Sequence, residues 1–240
     1  GRWLARRKYK QDFIEKRRLQ KQFVEKYASV VSIVSDKDIK ELNATFDIFV
    51  AGGDQIWNPS VYEDIFLLSL ANDDKLKISY GTSVGVKKIP DELKTVYRKN
   101  LSRFNCISVR EKQSAEALMD FIQKDITVVV DPTFLLSADD WMFLLKDAEL
   151  NENEFADPYI LCYFVGTRKS YWRYVDKIRK KTNYRVIVIP INNEAYVNRF
   201  DKYVKVSPAE FLWLIKHAAI VCTDSFHATV FSIQYNKEFY

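Results

Sequence analysis

The sequence predicts an α/β protein made of two Rossmann-like halves that face each other across a cleft. Three observations predict it. From Phe46 onward, short apolar runs alternate with amphipathic helical runs, the pattern of parallel strands joined by helical crossovers. The apolar runs end in polar turns, so the chemistry gathers where strands hand over to helices. Lys146 to Pro158, rich in Asp, Glu and Asn, interrupts the alternation before it restarts. The expected division is therefore 1–150 and 155–240. With 240 residues, 48% of them hydrophobic, the chain can bury a core in each half.

Residues 3–28 open the first half as an amphipathic helix, with Tyr9, Phe13, Leu19, Phe23, Val24 and Tyr27 gathered on one side. Ten Lys/Arg against three acids in residues 1–28 carry a balance of +7, so the remaining chain is slightly acidic and the net +5 belongs to this segment. Such a helix either packs on its own domain with a solvated charged face or lies on an anionic membrane surface. Nucleic acid is not an expected partner, because no zinc-finger spacing, stacking-aromatic pattern or second basic patch accompanies the helix.

Strands are expected at Phe46–Ala51, Leu76–Thr82, Cys106–Val109 and Ile126–Val130, with helices at Asp91–Phe104 and Gln113–Gln123 and a short capped helix from Ser137 to Leu145. In the second half Tyr159–Val165, Arg185–Pro190 and Ala219–Thr223 read as strands. Lys169–Lys181, Ser207–His217 and His227–Tyr235 read as helices, and Ser207-Pro208-Ala209-Glu210 is a capping box with proline at the first helical position. A further strand begins at the last residues. Both ends are expected to be cut, because a first strand and a closing helix are missing from the pattern. No apolar run is long enough to span a bilayer, and the N-terminus lacks a signal-peptide core, so a cytoplasmic location is expected. Cys106, Cys162 and Cys222 each fall inside an apolar run without metal-ligand spacing and read as reduced core residues; no metal or cofactor is expected.

Four strand ends carry candidate chemistry. Gly52 and Gly53 let the backbone approach a ligand, Asp54 projects a carboxylate, and Gln55, Trp57 and Asn58 offer an amide, a stacking face and a second amide, a set suited to sugars. The same string fits a tight turn over a buried tryptophan. Arg110 at the tip of the third strand presents a planar fork for carboxylate or phosphate, unless Glu111 neutralises it. Gly166-Thr167-Arg168-Lys169 repeats this geometry, and Arg168 either holds a phosphate or solvates a helix start. In Thr223-Asp224-Ser225-Phe226-His227-Ala228-Thr229 a strand runs directly into a helix. His227 can serve as acid or base near neutrality, while Asp224, Ser225 and Thr229 either line an anion site or cap the helix. The other histidine, His217, ends a helix and reads as structural.

In order, Ala-Gly-Gly-Asp-Gln-Ile-Trp-Asn-Pro, Ile-Ser-Tyr-Gly-Thr-Ser-Val-Gly, Ser-Val-Arg-Glu, Val-Asp-Pro-Thr-Phe-Leu-Leu and Thr-Asp-Ser-Phe-His-Ala-Thr-Val-Phe-Ser-Ile resemble the polysaccharide pyruvyl transferase family. The resemblance implies a glycosyltransferase-B-like fold. It also implies transfer of pyruvate from phosphoenolpyruvate onto two hydroxyls of a sugar or oligosaccharide acceptor, lipid-linked or not, as a cyclic ketal. His227 would then be proton donor or phosphate partner, Asp54 the base for the acceptor hydroxyl, and Arg110 the donor clamp. Family members often carry an arginine close before the histidine, where this chain has Ser225 and Phe226, so Arg110, Arg168 or Lys205 would have to supply the cation. Two other readings suit the same residues: a glycosyltransferase using a nucleotide sugar, and a non-catalytic carbohydrate-binding protein.

Overall fold

A computed structural model describes residues 9–240 of the chain. Helix α1 (Lys10–Tyr27) covers most of the expected first helix, whose residues 3–8 lie outside the described residues. The chain forms two compact units, one of Val31–Leu135 and one joining the segment up to Val30 with Leu136–Tyr240.

In the 31–135 unit, α2 (Asp36–Thr45) leads into β1 (Ile48–Gly52), β2 (Leu76–Tyr80), α3 (Asp91–Leu101), β3 (Ile107–Val109), α4 (Lys112–Met119) and β4 (Ile126–Val128). Helix α2 was not among the expected elements, although Ser35 and Asp38 cap it reciprocally. Strands β1 and β2 pair in parallel, as do β3 and β4, and parallel bridges from Ile78 to Cys106 and from Thr82 to Val109 connect β2 to β3. All four strands therefore end on the same edge. Behind them Trp57, Tyr97, Leu101, Phe104, Val109 and Leu118 make a core with almost no exposed surface.

The terminal unit holds α5 (Met142–Leu145), β5 (Tyr159–Tyr163), α6 (Ser170–Thr182), β6 (Arg185–Val188), α7 (Asn193–Val197), β7 (Asp201–Lys202), α8 (Pro208–His217), β8 (Ile220–Thr223), α9 (Phe226–Gln234) and β9 (Glu238–Phe239). Its strands form one parallel sheet in the order β7-β6-β5-β8-β9. Tyr159 to Cys162 of β5 are buried without alternation, as expected for a central strand covered on both faces. After β5 the chain adds strands on one side as far as β7, then returns to place β8 on the other. The carboxyl ends of β5 and β8 thus flank a topological switch point, where α/β sheets open a crevice. Ser207 and Glu210 cap α8 as the sequence implied, with Ser207 N–H donating to Glu210 Oε2 at 2.7 Å.

Compactness groups the chain otherwise than the expected 1–150 and 155–240 division. The acidic stretch does not serve as a linker: it lies inside the terminal unit, where Phe155 is buried in the core and its ring meets those of Tyr159, Tyr203 and Trp213. Helix α1 packs on the same unit. Phe13 lies 5.1 Å from Tyr196, Tyr27 lies 5.8 Å from Phe143, and Lys26 pairs with Asp147 at 2.5 Å. Apolar packing, not position in the chain, decides the grouping. One cysteine also departs from expectation: Cys106 is exposed just before β3, whereas Cys162 and Cys222 are buried side by side on β5 and β8. Burial raises the Cys162 thiol well above its ordinary pKa, in keeping with an inert core residue.

Candidate functional site

In the 31–135 unit the candidates stand where β1 and β3 end. Gly53 has φ +104, a conformation that strongly favours glycine, whereas a Cβ at Gly52 would make only an ordinary contact with the Tyr80 carbonyl at 3.6 Å. The turn this creates is closed by the Asp54 carbonyl, which accepts the Ile56 N–H at 2.8 Å and the Ser83 N–H at 3.3 Å. The Asp54 side chain is left 62% exposed.

Arg110 reaches that carboxylate from β3. Its Nη2 donates to Asp54 Oδ1 at 2.6 Å, its Nη1 to Asp131 Oδ2 at 2.7 Å and its Nε to Glu111 Oε1 at 2.8 Å. Burial pulls the guanidinium's pKa down, but its hydrogen bonds to Glu111, Asp131 and Asp54 outweigh it and hold the group above its ordinary value. Each of its three nitrogens already donates to a carboxylate, so its charge is heavily compensated before any donor phosphate arrives. The Arg110–Glu111 pair anticipated from the sequence is real, and two further carboxylates join it.

Three neighbours settle into support. Trp57 is fully buried, donates its indole N–H to the Phe66 carbonyl at 2.8 Å and packs edge-on against Phe104, so no sugar can stack on it. Asn58 caps the short turn Pro59–Val61 through Ser60 N–H at 3.0 Å. Gln55 Oε1 accepts from Asn58 Nδ2 at 2.9 Å, and both amides sit over Gly85, where an added Cβ would come within 2.5 Å and 2.6 Å of them.

In the terminal unit the candidates stand just beyond the carboxyl ends of β5 and β8. Asp224 accepts the backbone N–H groups of Val165 at 2.7 Å and Gly166 at 2.9 Å, tying the loop after β5 to the turn after β8. Tyr171 adds a hydroxyl to the same carboxylate; desolvation and this bond raise its phenol above the ordinary value. Thr223 Oγ1 donates to the Tyr163 carbonyl at 2.5 Å and accepts from Ser225 N–H at 3.0 Å. Ser225 caps α9 by accepting the Ala228 N–H at 3.4 Å, and Thr229 turns its hydroxyl back onto the Ser225 carbonyl at 2.9 Å. Asp224, Ser225 and Thr229 are therefore committed to the backbone and shape the two strand-end turns. His227, half-buried in the first turn of α9, stands edge-on to the half-exposed ring of Phe226 at 5.2 Å. Arg168 is exposed on the loop that Asp224 ties down and makes no ion pair among the described residues. Lys205, the third candidate cation, pairs with Asp12 at 3.6 Å. His217 stacks on Trp213 and bonds its carbonyl at 2.8 Å, matching the structural reading.

Sequence reasoning passed over two residues. Asp131 joins the Arg110 cluster from the end of β4, where Asp131-Pro132-Thr133 already carried the signal of an aspartate bonding its own turn. Asn192 caps α7 and donates Nδ2 to the carbonyls of Phe164 and Gly166 at 2.8 and 2.9 Å, fixing the loop from its far side. Among the described residues no cluster of three His, Cys, Asp or Glu is arranged to hold a metal.

Parallel sheets with polar strand-to-helix turns and a topological switch between β5 and β8 define an α/β protein, and its structural neighbours make the fold glycosyltransferase-B-like. The fold is similar to that of UDP-GlcNAc 2-epimerase from Methanocaldococcus jannaschii, with TM-score 0.55 and 17% identity over 92% of this chain and 73% of that one. It is also similar to UDP-GlcNAc 2-epimerase from Neisseria meningitidis bound to UDP-GlcNAc, with TM-score 0.52 and 12% identity over 85% of this chain and 61% of that one. A Listeria monocytogenes protein assigned as the same epimerase gives 0.55 and 15% over 88% of this chain, which spans 64% of its length. At such identities the likeness concerns fold alone. The chain belongs to the polysaccharide pyruvyl transferase family, whose sequence model matches residues 2–240. No curated protein matches it.

Proposed function

We propose that this chain transfers pyruvate from phosphoenolpyruvate to two hydroxyls of a sugar, forming a ketal during synthesis of a surface polysaccharide. One observation carries the reading beyond family membership. Asp224 ties the loop after β5, which carries Arg168, to the turn that starts α9, which carries His227, at the sheet's topological switch point. That combination suits a small, highly charged phosphate ester.

The chemistry follows from the donor. A proton delivered to the methylene carbon of phosphoenolpyruvate makes a methyl group and leaves an oxocarbenium-like centre at the adjacent carbon. One sugar hydroxyl adds there and loses its proton to a base. Phosphate then leaves, and the second hydroxyl closes the ring and releases its proton. We assign His227 as the proton donor and Asp54 as the base, since its carboxylate stands exposed at a strand end. Arg168 takes the place expected for Arg110 as the cation that meets the donor, because Arg110 is already surrounded by three carboxylates. We place the reaction in the cytoplasm, on an acceptor carried by a lipid or a nucleotide. No described helix is long and apolar enough to cross a membrane; a peripheral contact would use the basic outer face of α1.

The test is phosphate release from phosphoenolpyruvate by the full-length protein with a panel of lipid-linked and nucleotide-linked glycans. Release with at least one acceptor, abolished by His227→Ala, is expected. Thermal stabilisation by UDP- or GDP-sugars, with none by phosphoenolpyruvate and no phosphate released, would replace this reading with glycosyl transfer. A His227→Ala variant with unchanged ligand affinity and unchanged polysaccharide composition in cells would point to a binding protein.

A further inference from the structure

We infer that Asp131 is a positioning residue, which sets through Arg110 where the Asp54 carboxylate stands. The inference rests on the assignment of Asp54 as the acceptor's base. The three carboxylates around Arg110 are not equivalent. Asp54 and Glu111 are 62% and 39% exposed, whereas Asp131 is 3% exposed and the guanidinium beside it 5%. Asp131 is pinned on both oxygens: Oδ2 takes Arg110 Nη1 at 2.7 Å, and Oδ1 takes Thr133 N–H at 3.0 Å and Thr133 Oγ1 at 2.7 Å. Glu111, more exposed, is held on both as well, by Arg110 Nε and the Ser114 hydroxyl at 2.8 Å each, so burial is what makes Asp131 the anchor. Arg110 between them is a planar plate whose two η nitrogens are rigidly related. Fixing Nη1 on Asp131 therefore fixes Nη2, and Nη2 holds Asp54 Oδ1 at 2.6 Å.

Stability alone does not account for this arrangement. A buried ion pair returns little net stability after the cost of desolvating both charges, and a pair with an exposed partner returns less. Nor does the cluster suit an anion, since one guanidinium faces three carboxylates. What the chain Asp131–Arg110–Asp54 does deliver is geometry: a buried anchor, a rigid coupler and a presented carboxylate. With Oδ1 engaged, Oδ2 of Asp54 is the atom that would receive the proton of a sugar hydroxyl. Gly53 just before it has φ +104, and a Cβ built there meets no neighbour within 4 Å, so the adjoining backbone offers little crowding to hold the carboxylate in its place.

The experiment is a double-mutant cycle between Asp131→Asn and Asp54→Asn, read as kcat, KM for phosphoenolpyruvate and thermal midpoint, with a crystal structure of the Asp131→Asn protein. A misplaced base should lower kcat by roughly 10- to 100-fold, since displacements near 1 Å cost about that much. KM for phosphoenolpyruvate should stay close to the wild-type value. In the Asp54→Asn background the further loss in kcat should vanish, and the crystal structure should show Asp54 released from Arg110 Nη2. Equal losses in both backgrounds would reduce Asp131 to a structural residue. A raised KM for phosphoenolpyruvate at unchanged kcat would make Arg110 a donor clamp, and either result overturns the inference. If the wild-type protein releases no phosphate with any acceptor, the pyruvyl reading fails separately, and the crystal structure still decides whether Asp131 sets Asp54. Retention of the Arg110–Asp54 bond there overturns it. Should Asp131→Asn fail to fold, Thr133→Val and Arg110→Lys weaken the same chain more gently and carry the same expectations.

Discussion

Gly166 donates its N–H to Asp224 Oδ2 at 2.9 Å, and a Cβ on residue 166 would lie 2.5 Å from that same oxygen. The absence of a side chain at one strand end is thus what admits the carboxylate from another. Gly166→Ala should expel Asp224 and cost about 1–3 kcal/mol, the range for losing charge-assisted hydrogen bonds of this kind. Asp224→Ala should cost a similar amount, and the double variant little more than either, by denaturant titration. Full additivity would show that the two residues act independently.

Trp57 separates stability from sugar binding. Its ring fills the 31–135 core and its N–H meets the Phe66 carbonyl, so Trp57→Phe should lower stability by about 1–3 kcal/mol through the lost bond and the reduced volume. KM for any acceptor should not move. A weakened acceptor KM with stability intact would return Trp57 to the ligand site.

Asp176 on α6 gives the terminal unit an acid-sensitive element. Desolvation pushes its carboxyl up, but hydrogen bonds from Arg179, Lys180 and Arg199 prevail and hold it at about 2, below the ordinary 3.8. A carboxylate with a depressed native pKa contributes stability above its unfolded value and loses it as the pH falls through the native one. Asp176→Asn should therefore be less stable than wild type near neutrality, with the gap closing between about pH 4 and pH 2. A gap independent of pH in thermal melts would show that the charge plays no part.

The legible parts of this chain are those decided by near neighbours. Ser207 and Glu210 cap α8 across three residues, Ser225 caps α9 in the same way, and the alternation of apolar runs marks β1 to β6 and β8, though not the two-residue edge strand β7. At the site, His227 and the glycine turn before Asp54 were visible because strand-to-helix junctions have local signatures. Trp57 was not, since a tryptophan beside polar residues reads alike whether it faces a ligand or a core, and its partner Phe66 lies nine residues on.

The sequence by itself determined the α/β class, the helix caps, the strand ends that bear the polar residues and the family. Tertiary structure alone decided what those residues touch. Arg110 finds Asp131 and Asp54 at sequence separations of 21 and 56, and Asp224 finds Gly166 at 58. Parallel strands create this distance: each must be reached through a crossover, so residues that meet at the sheet's edge are separated by whole helices in the chain. Which carboxylate neutralises an arginine, and which is left to act, depends on that register rather than on any local pattern.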